Sequence, residues 1–83
     1  MEYTLIKPVT KSNGEEIKTV EIRESFTGRD VRTVCNSKGE GDAQVKLVVC
    51  ATGFSDTFVD NMDARDVNAI SKMVKPFFSV GEN

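Results

Sequence analysis

The chain contains no histidine. Ser-His and Cys-His nucleophilic sites are therefore impossible within it, as are zinc sites of the Cys/His type. Cysteine is scarce. Cys35 and Cys50 are the two present, in neither a CxxC nor a cluster. Both fall in apolar-periodic segments, so the expectation is two buried free thiols and a reducing cytosol. Long hydrophobic runs are missing too. The longest, Leu47-Val48-Val49-Cys50-Ala51, is far short of a membrane span. Met1-Glu2-Tyr3-Thr4 has neither the basic region nor the apolar stretch of a signal peptide, so the protein is expected to stay where it is made. Nor does one sign of charge dominate: 11 Lys and Arg face 13 Asp and Glu, a net charge of −2. No stretch is basic enough for the phosphate neutralisation that drives nucleic-acid binding.

What remains is the composition of one small domain, and its strand and helix patterns make it α+β. Its 83 residues, 39% of them hydrophobic, support a modest core. Residues 1–24 read as a β-hairpin, 25–78 as the helical part and 79–83 as a flexible tail. Within the hairpin, residues 3–9 and 16–24 are the strands. Val20 and Ile22 alternate with Glu21 and Arg23 as in a half-buried strand. Ile17 is out of step by one, which asks for a bulge or a later start. Asn13-Gly14 between the strands is a strong hairpin signal, since both residues tolerate positive φ. Pro8 cannot donate to a ladder and belongs at an edge or a strand end. A lone hairpin is marginal in water, so this one must lean on the helices.

Two stretches, Phe26-Thr27-Gly28-Arg29-Asp30-Val31 and Met62-Asp63-Ala64-Arg65-Asp66-Val67, share one pattern. Each fits a helix start. Thr27 or Asp63 serves as N-cap, and Asp30 or Asp66 reaches back as in a capping box. Phe26 with Val31, and Met62 with Val67, form hydrophobic staples. The first helix then runs from about Thr27 to Ser37, with Val31, Val34 and Cys35 on one face. Residues 42–52 fit two readings. Val45, Leu47, Val49 and Ala51 alternate like a strand. The length, an Asp42 N-cap and a Gly53 stop favour a helix. Ser55 caps a short helix to about Asn61, with Phe54 stapled against Val59. The last helix spans about Asp63 to Lys75, with Val67, Ile70 and Val74 as its apolar stripe, joined by Met73 and Phe77. Pro76 is expected to end it. The whole is a hairpin packed on a three- to four-helix unit.

Chemistry-bearing motifs are few. Asp56, Asp60, Asp63 and Asp66 lack the inner Gly and closing Glu of an EF-hand, so capping and solvation account for them. Gly39-Glu40-Gly41 lacks the Lys-Ser/Thr of a phosphate loop. Arg65, Lys72 and Lys75 on the last helix are balanced by Asp63 and Asp66, which disfavours helix-turn-helix DNA binding. No catalytic residue, cofactor site or metal site is expected. Phe77 and Phe78 read either as core residues closing the last helix or as anchors for a partner helix.

Six short landmarks occur in order: Leu5-Ile6-Lys7-Pro8-Val9, Gly14-Glu15, Val20-Glu21-Ile22-Arg23, Phe26-Thr27-Gly28-Arg29-Asp30, Ala51-Thr52-Gly53 and Met62-Asp63-Ala64-Arg65-Asp66. Over residues 5–77 the chain thereby resembles the small tail assembly chaperones of contractile-tailed bacteriophages. The valine-rich 45–50 segment departs from the pattern, where more Leu and Ala are expected. The resemblance implies a non-enzymatic protein of the host cytoplasm, absent from the mature virion, that binds the tape measure protein and keeps it soluble. Tail tube subunits and a second copy of the chain are further partners in this reading. Val45, Val49, Phe77 and Phe78 are the candidate partner-binding residues. A structural tail completion or connector subunit is the alternative, followed by a small DNA-binding regulator. The resemblance also implies a longer frameshifted product, with slippage at the codons of Pro76-Phe77-Phe78. Cytosines interrupting the thymine run at the Phe codons would remove that idea.

Overall fold

In the computed structural model, residues 1–78 are described. The order is β1 (Glu2–Thr10), β2 (Glu16–Glu21), α1 (Gly28–Cys35), α2 (Glu40–Thr52), α3 (Asp56–Asp60) and α4 (Ala64–Phe78). This is the expected α+β arrangement of an antiparallel hairpin followed by four helices. The anticipated tail, 79–83, lies outside the described residues.

The hairpin closes where Asn13-Gly14 demands. Gly14 adopts φ +91°, a conformation that costs an L side chain strain. Its N–H donates to the Lys11 carbonyl at 2.9 Å, and Asn13 Oδ1 accepts the Glu15 N–H at 2.9 Å. The expected irregularity is present, but on the other strand. Thr4 pairs with Thr19 and Val9 with Ile17. Between those pairs β1 must fit Leu5, Ile6, Lys7 and Pro8 against Lys18 alone. Ile17 pairs with Val9, and β1 bulges away from the ladder. Pro8 sits in this unpaired stretch, where its missing N–H costs nothing.

The bulge leaves backbone donors that need partners. Asp66 supplies them. Its carboxylate accepts the Ile6 N–H at 2.8 Å, the Lys7 N–H at 3.1 Å and the Tyr3 hydroxyl at 2.8 Å. Asp66 is 0% exposed. Its expected capping and solvation roles are thus both overturned. The stray strand segment pulls the carboxylate inward and ties α4 to β1. The equivalent residue of the first helix does behave as a cap. Asp30 accepts the Thr27 N–H at 2.9 Å and the Thr27 hydroxyl at 3.3 Å. At α4 the cap is Asp63, which accepts the Arg65 N–H at 2.9 Å.

Helix, not strand, wins at 42–52. As a helix, α2 packs against α1, α3 and α4 and buries Leu47, Val48, Cys50 and Ala51. Burial on several sides outweighs the β preference of the valines. The helix begins earlier than expected. Gly39 is the N-cap, and Asp42 reaches back to the Lys38 N–H at 2.9 Å. Gly53 stops it at φ +83°, donating to the Val49 carbonyl at 2.8 Å. Ser55 caps α3 as expected, accepting the Phe58 N–H at 3.1 Å.

Two other boundaries differ from expectation. α1 ends at Cys35 rather than Ser37, its last turn tightened by a bond from the Ser37 N–H to the Val34 carbonyl at 3.1 Å. α4 continues through Pro76 to Phe78. A proline inside a helix removes one ladder bond. Here the two phenylalanines beyond it are held by packing on Phe26, which keeps the last turn in place. The core gathers Leu5, Val9, Val20 and Ile22 from the hairpin side with Leu47, Val48, Ala51, Val59, Met62, Ile70 and Val74 from the helices. Each Val, Leu, Ile or Met side chain among them contributes about 1.5–3 kcal/mol on full burial. Cys50 is buried as expected, but Cys35 is exposed. It occupies the last turn of a two-turn helix that leans on α2 with its other side.

Candidate docking surface

A groove opens between α1, α2 and α4. It holds about 490 Å³ and is lined by Val34, Glu40, Ala43, Gln44, Leu47, Ser71, Lys72, Lys75 and Phe78. The spacing of Glu40, Ala43, Gln44 and Leu47 along α2 is i, i+3, i+4, i+7, which is one helical face. Ser71, Lys75 and Phe78 lie one above another on α4 by the same rule. The apolar floor comes from Val34, Ala43, Leu47 and Phe78. Gln44 spans it from α2 to α4, donating to Ser71 Oγ at 3.2 Å and to Asn68 Oδ1. Ser71 in turn donates to the Asn68 carbonyl at 3.0 Å. The rim is charged: Lys72 and Lys75 on α4, Glu40 at the start of α2.

Three aromatic rings close one end. Phe26 packs on Phe78 with centroids 4.7 Å apart and on Phe77 at 5.8 Å, both tilted, a favourable arrangement for aromatic pairs. The Arg23 guanidinium lies 5.0 Å from the centroid of Phe26, within cation–π range. Arg23 also donates to the Cys50 carbonyl at 3.1 Å and the Ser25 carbonyl at 3.0 Å, and pairs with Asp30 at 3.3 Å. It thereby neutralises the negative end of α2 while fixing the ring against which α4 ends. The Thr27 N–H beside Asp30, and then Arg23, hold the Asp30 carboxyl below its ordinary range. Burial, and then the same Asp30, push the Cys50 thiol up to about 11. A thiol so held is a poor nucleophile at neutral pH.

The candidate residues divide between two sides of α2. Phe78 lines the groove, and Phe77 lies beside it, 46% exposed. Phe78, eight residues beyond Ile70 and four beyond Val74, continues the apolar stripe that was expected to include Phe77. Val45 instead faces a smaller hollow of about 260 Å³ between α2, α3 and α4, together with Val59, Met62 and Val67. Val49, one turn beyond Val45, is half-buried on the core. The groove's central residues, Ala43, Gln44 and Leu47, were not anticipated. Their i, i+3, i+4, i+7 spacing with Glu40 is the sequence signal that marks them as one face of α2. Phe26 was expected to staple Val31. It turns to Phe77 and Phe78, and Val31 remains 44% exposed beside Val34.

The four nearby aspartates do not converge on a shared point. Asp56 pairs with Lys46, Asp63 with Arg65 at 3.0 Å, Asp66 is buried against β1, and Asp60 is exposed. Arg65 holds the Asp63 carboxyl down to about 2. Among the described residues no group of three or more acidic or cysteine side chains is placed to hold a metal ion, and no helix is long and apolar enough to cross a membrane.

The family described as "Phage tail assembly chaperone proteins, E, or 41 or 14" matches the chain over residues 2–79. No curated protein and no solved structure matches it.

Proposed function

The chain belongs to the phage tail assembly chaperone family, and we propose that it serves there by binding the tape measure protein and keeping it soluble while tail tube subunits assemble around it. The observation that carries this reading is the open apolar groove between α1, α2 and α4, ended by the Phe26–Phe77–Phe78 cluster. Helices that bind in grooves do so through apolar anchors at i, i+3 or i+4 spacing. Long helical proteins with exposed apolar stripes aggregate unless those stripes are covered. The role needs no chemistry. The protein acts in the host cytoplasm during assembly and leaves before the virion is complete.

Co-expression with the tape measure protein tests this. The expected result is a co-purifying complex and a larger soluble fraction of the tape measure protein. Failure to associate, with no gain in solubility, overturns the proposal. Mass spectrometry of purified virions separates it from a structural tail subunit, which would remain in the particle.

A further inference from the structure

The groove's two long walls differ in charge. α4 presents Lys72 and Lys75, one turn apart, while the α2 wall opens at Glu40. Between them lie Ala43, Leu47 and Phe78, crossed at one point by the Gln44–Ser71 hydrogen bond. In a chain of net charge −2, this places two cations along one side of an apolar slot. We infer that the groove takes an amphipathic helix of the tape measure protein whose polar edge facing α4 is acidic. The inference rests on the tape measure reading above and adds the site, the kind of segment and its orientation. Apolar side chains of the incoming helix fill the space over Ala43 and Leu47. Acidic residues three or four positions apart on one edge meet Lys72 and Lys75. On the other edge Glu40 disfavours acidic residues, so a reversed helix meets like charge.

The test measures the affinity of the intact chain for a tape measure fragment that it holds in solution. Lys72→Glu/Lys75→Glu is expected to weaken binding about tenfold at low salt, and Lys72→Gln/Lys75→Gln by less. Ala43→Phe, which fills the slot, is expected to abolish it. Exchanging the acidic edge of the fragment for lysine should restore binding to the Lys→Glu variant. Circular dichroism confirms that each variant is folded, and the exposed lysines keep the test valid should Ala43→Phe unfold. Undiminished binding by the Lys→Glu variant overturns the inference and leaves the proposed function standing. A fragment that never binds the unaltered chain removes both. Self-association of the chain that Ala43→Phe abolishes assigns the groove to a second copy, and the inference fails.

Discussion

Replacing Asp66 by Ala removes the acceptor of three donors at once: the Tyr3 hydroxyl and the N–H groups of Ile6 and Lys7. Hydrogen bonds to charged groups contribute about 1.5–3 kcal/mol each. The three share one carboxylate, and water reaches part of the exposed β1 segment once the acceptor is gone, so the loss is below their sum. We expect about 3–4 kcal/mol. For 83 residues the total stability is on the order of 4–12 kcal/mol, so a quarter or more is lost. Asp66→Asn keeps the shape and one oxygen, but turns an NH2 toward a donor, and should cost about 2 kcal/mol. Tyr3→Phe removes one such bond and should cost about 1.5 kcal/mol. Urea unfolding at neutral pH measures all three. Hydrogen exchange should show the Ile6 and Lys7 amides losing protection in Asp66→Ala. A loss under about 0.5 kcal/mol in Asp66→Ala, or unchanged exchange at both amides, would refute the latch.

Ile70→Ala, at a fully buried position, should cost about 2–5 kcal/mol in the same assay. Gly53→Ala should cost about 1–2 kcal/mol, because φ is +83° there while the space around it is open. Asp30 titrates below its ordinary value in the folded chain. Its contribution is therefore fully present above the unfolded carboxylate value of about 4 and is lost as pH falls through the folded value. Asp30→Asn should accordingly flatten the fall in urea midpoint between neutral and acid pH. Iodoacetamide at neutral pH should label exposed Cys35 and spare buried Cys50, whose thiol is pushed up to about 11. Equal labelling of both in the native state would contradict the packing around Cys50.

Local signals were legible where chemistry at single positions decides the outcome. Gly14, Thr27 with Asp30, Gly53 and Ser55 each do in the fold what their local preferences dictate, while Asn13 acts through its side chain and not through a positive φ. Nonlocal demands were not legible. Nothing within Met62–Val67 says that Asp66 will be drawn inward. That follows from the β1 bulge some sixty positions away. Pro76 could be read as a stop because the rule is local, whereas Phe77 and Phe78 stay helical through packing on Phe26. The site divides in the same way. Phe78 was visible as an aromatic near a helix end. The 40-43-44-47 spacing marks Ala43, Gln44 and Leu47 as one helical face, but only α4 lying beside α2 makes that face the floor of a groove.

The central claim is that the groove between α1, α2 and α4 covers a tape measure helix. Chemical-shift mapping of the 15N-labelled chain with a soluble tape measure fragment tests it most directly. The account predicts shifts concentrated at Ala43, Leu47, Lys72 and Phe78, with the hairpin amides Lys11–Glu15 unmoved. Shifts centred on the hairpin or on the Val45–Val67 hollow, or none at saturating fragment, would contradict it.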